Sequence, residues 1–417
     1  MLKRILGAAL ALCLVLALPM GARAEETPAP KDAPAIVFVH GLGGWGQGAW
    51  FDYVMPHWGM RAGSVRKELK SRGYEACAVS MGPVSSAWDR ACELYAHLTG
   101  GRADYGEAHA NAHGHERYGQ KYRALLKSWS AEKPIALVGH SFGGAASRLF
   151  AQLCEEGSAA ERAAGQSEIS PLFTGELKGR ITAVVSLAAP HNGSTAAEAY
   201  LAEGGDAGAD ITGQLLKMAR LAMVLPLFER FYPFRLGQFG LDLRGFYRNP
   251  LRAWRGMDAF ARGEDGAAHD LTVDGAQEVN SGIRCQPGIY YFSYAAQATE
   301  PDAEGNQLPK ALVSSMFQGT SAAMGKKRPV FTTPGGILID ESWLPNDGLV
   351  NLVSAQYPFG EPHKDYDPGN IERGVWQVMP TITNFDHVDF GGGFQVKGGP
   401  EGFWELHYGI AEMLEKL

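Results

Sequence analysis

Cysteine is scarce in this chain, with 5 in 417 residues. Cys13 lies in an apolar run near the N-terminus, and the other four are spread too widely for a disulfide-stabilised scaffold. Their spacing does not show whether any two of them form a disulfide. These four residues are Cys77, Cys92, Cys154 and Cys285.

An excess of basic residues is also missing. The chain has 38 Lys and Arg against 45 Asp and Glu, which gives a net charge of −7. This balance gives no basic footprint for nucleic acid and excludes it as an expected partner. No internal repeat or linker divides residues 35–417, so we expect one compact unit there, although its oligomeric state is not indicated.

No apolar run is long enough to suggest a membrane-spanning helix in the mature chain. The run from Ile5 to about Leu18 follows Lys3 and Arg4 and precedes a small-x-small site at residues 22–24. This pattern predicts a signal peptide over residues 1–24 and therefore a secreted protein. Residues 25–34, rich in Pro, Ala and charge, are expected to be a flexible lead-in.

A short pattern at residues 139–143, Gly-His-Ser-Phe-Gly, centres on Ser141. Because it follows an apolar run at residues 135–138, it predicts a buried strand, a tight turn and a helix. This is the arrangement of a nucleophile elbow, in which small neighbours leave the serine hydroxyl accessible. A chain with 53 glycines produces such patterns by chance, so other residues must support the interpretation.

A second apolar run, at residues 35–39, ends in a Gly-Leu-Gly-Gly loop at residues 41–44. In α/β-hydrolases such a loop supplies one amide of the oxyanion hole, and the residue after the nucleophile supplies the other. By position these amides belong to Leu42 and Phe142. Each element alone also fits an ordinary strand-to-helix turn, but together they predict an α/β-hydrolase fold with a mostly parallel central sheet flanked by helices.

A serine nucleophile needs a histidine base and a carboxylate that orients it. In this fold the chain order is serine, acid, histidine, and His387 lies late in the chain within a polar segment at residues 383–389. For the acid, Asp347 lies in a turn at residues 344–350, and the spacing alone leaves Asp340 and Asp365 as competitors.

Histidines also cluster before the elbow, where His109, His113 and His115 fall within seven residues. Imidazoles and carboxylates in such numbers suit a zinc ion in a tetrahedral site. The spacing alone favours a solvated polar loop over a metal site. A complete set of four protein ligands would make the metal structural, whereas three ligands and a water would make it catalytic.

Together these motifs make the chain similar to the secreted zinc-containing bacterial lipases of the thermoalkalophilic bacillus and staphylococcal type. The resemblance runs from about residue 35 to the C-terminus and is weakest between residues 195 and 262. It places Ser141, Asp347 and His387 at the family's nucleophile, acid and base. The stretches that carry it are residues 41–46, 82–93, 104–115, 139–144, 189–193 and 343–351.

The same resemblance implies a structural zinc ion and leaves His113 as a non-ligand. The four ligands would pin an inserted subdomain, at about residues 83–120, beside a lid. The implied ligands are Asp89, His109, His115 and Asp270, the last of which precedes a Leu-x-Val-x-Gly-Ala run.

Two departures from the family bear on the site. Phe142 and Leu42 replace the glutamine and the aromatic residue usual at these positions, but both changes keep the backbone amide. The family's calcium site uses acidic residues just after the catalytic histidine. Here Asp389 is present, yet glycines follow at residues 391–393 and no second carboxylate is evident, so Ca²⁺ has little support.

The segment at about residues 195–245 is strongly apolar, with Pro226 and Pro233 interrupting it. Its apolar positions cover more than one stripe, which fits a helical lid that covers an active site and meets an oil surface when it opens. An ordinary core helix is the alternative.

From these observations we expect a secreted triacylglycerol lipase that acts on lipid esters at an oil–water interface. Alternatives are a carboxylesterase or phospholipase of the same fold, a non-catalytic zinc-stabilised binding protein, or hydrolysis by the zinc ion itself. Loss of activity in Ser141→Ala would exclude the last of these.

Overall fold

A seven-stranded sheet forms the centre of the molecule. The computed structural model describes residues 33–165, 167–197, 217, 219–220, 231–393 and 396–417. The strands are β1 (Ala35–Val39), β2 (Ala76–Ala78), β3 (Gly101–Asp104), β4 (Tyr118–Tyr122), β5 (Ile135–His140), β6 (Ile181–Leu187), β7 (Tyr290–Tyr294), β8 (Thr299–Pro301), β9 (Gln307–Pro309), β10 (Phe331–Thr332), β11 (Leu338–Ile339), β12 (His363–Asp365) and β13 (Trp376–Val378).

The strand order in the main sheet is β12-β13-β7-β6-β5-β1-β2, and every neighbouring pair is parallel. A parallel sheet is covered on both faces, which explains why β1 and β5 read as continuous apolar runs. In β1, Ile36 and Phe38 pack on one side of the sheet, whereas Val37 and Val39 pack on the other. The remaining strands form the antiparallel pairs β3–β4, β8–β9 and β10–β11.

Helices cover both faces of this sheet. The helices that contain Leu69 and Leu414 pack against one face, and the helices that contain Leu94 and Phe150 pack against the other. Numbered among the described residues, the helices are α1 (Trp50–Val54), α2 (Val65–Ser71), α3 (Ala87–Thr99), α4 (Glu107–His113), α5 (Phe142–Glu156), α6 (Ala159–Ala163), α7 (Leu243–Arg248), α8 (Pro250–Arg262), α9 (Ala267–Asp270), α10 (Val273–Ser281), α11 (Gln318–Met324), α12 (Leu352–Gln356) and α13 (Phe403–Glu415).

The segment that contains β3, α4 and β4 leaves the core after α3 and returns to the same place. On its return, the amide of Leu125 donates to the carbonyl of His97 at 3.0 Å, and that of Leu126 donates to Leu98 at 3.2 Å. Both acceptors lie in the last turn of α3. The two ends of this segment therefore lie next to each other before the chain enters β5.

The sheet and its flanking helices confirm the predicted architecture. Most of the predicted lid lies outside the described residues, as do the predicted signal peptide and most of the lead-in. No helix in the described ranges is both long and apolar enough to cross a membrane. The four cysteines of these ranges are free thiols, three of them buried and Cys285 half-buried.

Candidate active site and metal site

The nucleophile lies at the turn between β5 and α5. Ser141 is the N-cap residue of α5, yet its hydroxyl makes no capping hydrogen bond. Its backbone adopts φ 55°, ψ −131°, a conformation that a residue with a Cβ rarely adopts. A serine in ordinary N-cap geometry bonds to the helix amides, so this backbone leaves the Ser141 hydroxyl available for another partner.

Two glycines of the motif allow the turn to be this tight. A Cβ on Gly143 would lie 2.1 Å from the carbonyl oxygen of Val39, and a Cβ on Gly139 would lie 2.6 Å from the carbonyl oxygen of Gly143. Both distances are shorter than any side-chain carbon tolerates. Gly143 therefore lets the start of the helix approach strand β1, and Gly139 lets it approach the end of β5.

Three residues from distant parts of the chain meet at this turn. His387 Nε2 lies 2.9 Å from Ser141 Oγ, and His387 Nδ1 lies 2.9 Å from Asp347 Oδ2. All three side chains are buried. With Nδ1 donating to the carboxylate, Nε2 is free to accept the serine proton.

The carboxylate of Asp347 is held by its own turn. Its Oδ1 accepts hydrogen bonds from the amides of Leu349 at 3.0 Å and Val350 at 2.8 Å. Of the two sequence competitors, Asp340 is bonded to Ser342 and Asp365 lies on edge strand β12 with an exposed side chain. The structure brings only Asp347 to His387.

The predicted oxyanion loop lies against the nucleophile because β1 and β5 are neighbours, with Val39 paired to Gly139. A Cβ on Gly41 would lie 2.7 Å from the Ser141 Cβ. Phe142 is the first residue of α5, where backbone N–H groups have no partner within the helix. The loop that contains Leu42 and the start of α5 are therefore neighbours at Ser141.

A buried cation supports this loop. Arg90, in α3, donates one hydrogen bond to the carbonyl of Gly82 at 2.8 Å and another to the carbonyl of His40. Its Cζ lies 5.2 Å from the ring centre of Phe142. Burial lowers the pKa of Arg90 to about 10, so the side chain remains charged at neutral pH. No local pattern in the sequence indicates this residue.

The loop also contacts Tyr232, in the C-terminal part of the predicted lid. The hydroxyl of Tyr232 donates to the carbonyl of Gly43 at 2.5 Å, and its ring packs on Trp45 with centres 6.3 Å apart. The amide of Gly43 donates to the carbonyl of Pro83 at 2.9 Å. The oxyanion loop is therefore held from both sides.

A second group of polar side chains lies in the region of α3 and α4. Asp89, His109, His115 and Asp265 each offer one ligand atom, and these atoms all lie within 4.8 Å of one another. Two imidazoles and two carboxylates form a donor set that suits zinc. Among the described residues this is the one group of three or more such side chains that could hold a metal ion.

The fit is supported by the state of the donor atoms. The Nε2 atoms of His109 and His115 and the Oδ1 atoms of Asp89 and Asp265 are buried without a hydrogen-bond partner in the described structure. Burying such atoms uncompensated costs free energy, whereas a divalent cation between them would satisfy all four.

Neighbouring groups orient these ligands. The Nδ1 atom of His115 lies 2.9 Å from the carbonyl of Glu116, which leaves Nε2 for a metal. Gln238 donates to Asp89 Oδ2 at 2.8 Å. The indole of Trp88 stacks on the His109 ring at 5.1 Å between centres. The contacts of His115, Asp89 and His109 therefore preorganise these ligands around the space between them.

The structure brings together three of the four predicted ligands. Asp270 is not in the group; its Oδ2 accepts from the amide of Ala87, at the start of α3, at 2.7 Å, and its Oδ1 lies 3.4 Å from His269 Nδ1. Asp265 takes its place, because the turn between α8 and α9 carries Asp265 to the histidines before α9 carries Asp270 away. His113, expected not to be a ligand, lies outside the group.

Asp389, the residue considered above for Ca²⁺, bonds to the backbone beside His387. Asp389 Oδ2 accepts from the amide of Asp386 at 2.8 Å, and Asp386 in turn accepts from the amides of Ser314 and Val388. Burial, with the nearby Asp386 carboxylate as the second cause, raises the pKa of Asp389 to about 7. Both carboxylates therefore accept hydrogen bonds from backbone amides near His387.

Comparison with known proteins identifies the relatives of this chain. A family model described as "Lipase-like, C-terminal domain" matches residues 32–411. The lipase of Staphylococcus hyicus is 34% identical over 388 residues, which is 90% of this chain and 56% of that protein. Lipase 2 of Staphylococcus aureus is 33% identical over 377 residues, 87% of this chain and 50% of that protein. The chain thus spans about half the length of these curated relatives.

Solved structures agree. The S. hyicus lipase superimposes with a TM-score of 0.80 at 30% identity, covering 95% of this chain and 98% of that one. EstA from Clostridium botulinum gives a TM-score of 0.78 at 33% identity, covering 96% and 92% respectively. With its parallel sheet and elbow, the chain has the α/β-hydrolase fold, and it belongs to the family described as "Lipase-like, C-terminal domain".

Proposed function

We propose that this chain is a triacylglycerol lipase that hydrolyses carboxylic ester bonds through Ser141, His387 and Asp347. The pair of 2.9 Å contacts that joins the three side chains carries the proposal. The nucleophile, base and orienting acid occur in the chain order and geometry that acyl transfer requires.

The reaction follows from this geometry. As Ser141 Oγ attacks the ester carbonyl carbon, its proton passes to His387 Nε2 and the carbonyl oxygen becomes an oxyanion. The amides of Leu42 and Phe142 would bind that oxyanion. The imidazolium, stabilised by Asp347, then gives its proton to the leaving alcohol as the carbon–oxygen bond breaks. Water repeats the sequence on the acyl-enzyme and releases the fatty acid.

For the metal site we propose a structural zinc ion held by Asp89, His109, His115 and Asp265. Four protein ligands leave no open position for a water nucleophile, so zinc would supply cross-linking rather than chemistry. The ligands come from α3, from α4 and the turn after it, and from the turn after α8. This subdomain lies next to the oxyanion loop through Arg90, one residue from Asp89.

The N-terminal pattern supports export, and we propose that the protein acts outside the cell. Its substrate would then be met at an oil–water interface rather than as a dissolved molecule. The apolar residues of α1 beside the oxyanion loop are exposed: Trp50, Tyr53 and Val54 are 46%, 80% and 57% accessible.

The test is fatty-acid release from an emulsified long-chain triacylglycerol by the natural chain and by Ser141→Ala. We expect the variant to lose activity by roughly 10⁴- to 10⁶-fold. Ser147→Ala is the matched control, because it removes a neighbouring buried hydroxyl that bonds only to the Gly143 carbonyl. Equal activity in Ser141→Ala would overturn the triad and favour hydrolysis by the metal.

A substrate series separates the related activities. A lipase should release fatty acid faster from emulsified triacylglycerol than from a soluble short-chain ester. Activity confined to the soluble ester would replace the proposal by a carboxylesterase, and a preference for phosphatidylcholine would replace it by a phospholipase. Inactivity on all three, with a folded protein, would favour a binding role.

A further inference from the structure

Two consecutive helices, α7 and α8, cover the oxyanion loop from outside. Ala253, Met257 and Phe260 of α8 are buried and belong to one apolar cluster, against which Leu42 of the loop packs. Their spacing of four and three residues places them on one side of the helix. The opposite side of α8 faces solvent, one helix thickness away from the site.

The solvent side of these helices is both basic and apolar. Tyr247, Leu251 and Trp254 are 72%, 61% and 48% accessible. Five exposed arginines lie among them, and none has an ion-pair partner within the described residues. We call this surface the arginine face; its basic residues are Arg244, Arg248, Arg252, Arg255 and Arg262.

The charge of this face opposes that of the whole chain. The protein carries a net charge of −7, whereas residues 243–262 contain five arginines and a single acidic residue, Asp258. That aspartate already pairs with Arg220. A concentrated positive patch on an acidic protein needs a reason beyond solubility, and exposed aromatic and aliphatic side chains within it point to an interface.

We propose that the arginine face docks the protein on a lipid surface that carries fatty-acid carboxylates. The arginines would bind the carboxylates, and Tyr247, Leu251 and Trp254 would enter the apolar layer beneath them. The inference rests on the proposed function, because ester hydrolysis releases these carboxylates at the surface where the enzyme works. Product would then retain the enzyme on a droplet already being hydrolysed.

Flotation with vesicles tests docking without catalysis. Diether phosphatidylcholine has no carboxylic ester bond, so vesicles of it, with or without oleate, report binding without lipase turnover. At mildly alkaline pH and low salt, we expect oleate to raise the partition coefficient of the natural chain on the order of 100-fold. High salt should remove most of this gain, because it screens the exposed charges.

The variant Arg248→Gln/Arg252→Gln should lower binding to oleate vesicles on the order of tenfold. The matched control is Arg123→Gln/Lys127→Gln, which removes the same charge from exposed positions between β4 and β5 and should bind as the natural chain does. A third variant, Tyr247→Ser/Leu251→Ser, should lose the binding that persists in high salt. Circular dichroism establishes that each variant is folded.

Several outcomes would overturn the proposal. Equal binding of the natural chain to vesicles with and without oleate would do so, as would equal loss in the control variant. Binding to phosphatidylglycerol vesicles but not to oleate vesicles would replace the fatty acid with an anionic phospholipid. A chain that floats with oleate yet hydrolyses no ester would support docking and overturn the proposed function, so the two failures are distinct.

Discussion

Arg90 donates a hydrogen bond to the carbonyl of His40, the residue that immediately precedes the oxyanion loop. The same guanidinium faces the ring of Phe142, which supplies the second predicted oxyanion amide. One buried side chain therefore contacts both segments that would stabilise the developing negative charge. Arg90 touches no reacting atom, so we regard it as a positioning residue.

Removal of this side chain should affect the reaction more than substrate binding. In Arg90→Met the carbonyls of His40 and Gly82 lose their buried donor, a loss that costs about 1–3 kcal/mol for each group. We expect kcat to fall roughly 10- to 100-fold on a soluble ester, with KM changed less than about twofold. Steady-state kinetics separates the two constants.

Arg90→Lys provides the matched control, since it retains the charge and one of the two hydrogen bonds. It should recover part of the lost kcat. If Arg90→Met melted at a lower temperature but kept its kcat, the residue would stabilise the fold alone and the positioning role would be wrong.

The group of potential metal ligands contains Asp265 and not Asp270, and this gives a second prediction. Asp265→Ala should weaken zinc binding by at least about 100-fold, because it removes a ligand between two buried imidazoles. Asp270→Asn should retain the metal, since the amide oxygen can still accept from the Ala87 amide. Metal content by mass spectrometry and competition with a chromogenic chelator measure both.

Thermal melting supplies an independent readout of the same pair. A chelator should lower the melting temperature of the natural chain and of Asp270→Asn, and should leave that of Asp265→Ala unchanged. The opposite pattern, with metal lost only in Asp270→Asn, would restore the ligand set predicted from the sequence.

Acid should destabilise the fold through buried histidines. Burial first, and the charge of Arg90 second, lower the pKa of His57 from 6.5 to about 3. Its two ring nitrogens have no hydrogen-bond partner within the described structure. The unfolded chain therefore binds a proton that the folded chain excludes, and the contribution of His57 to stability is lost as the pH falls from 6.5 towards 3.

His57→Phe should reduce this dependence, because phenylalanine fills the aromatic site between Trp45 and Trp58 without a titrating group. We expect the slope of the unfolding free energy against pH to fall by up to about 1.4 kcal/mol per pH unit below about pH 6. Urea denaturation at about pH 7, 5.5 and 4.5 measures it.

The control is His363→Phe, which removes an exposed histidine. It should have the same slope of the unfolding free energy against pH as the natural chain. Loss of the proposed metal in acid would affect all three chains equally and cancel in the comparison. Identical slopes in the natural chain and His57→Phe would show that His57 is protonated in the folded protein.

Local patterns accounted for much of the structure. The apolar runs predicted β1 and β5, and the glycines around Ser141 predicted the turn, because strand burial and tight turns leave their mark on adjacent residues. His387 followed from chain order. Asp347 could not be separated from Asp340 and Asp365 by spacing, because only the folded loop decides which carboxylate reaches the histidine.

Local sequence patterns do not show which distant segments of the chain come into contact. Asp265 and Asp270 are both acidic and five residues apart, and their roles depend on where the short helix α9 begins. Arg90 reaches the oxyanion loop across fifty residues of chain, so no local pattern indicates it. The arginine face depends on which sides of α7 and α8 become buried, and the composition of residues 243–262 alone does not show this.

The self-closing path of the chain after α3 has an evolutionary consequence. Since Leu125 returns to the carbonyl of His97, residues 100–124 form a cassette whose two ends already meet, and a short turn could replace it. The cassette carries His109 and His115, while Ser141, Asp347 and His387 all lie outside it. Deletion of the cassette would therefore remove two of the four proposed metal ligands and leave the proposed triad in place, so the two proposed sites could be lost independently during evolution.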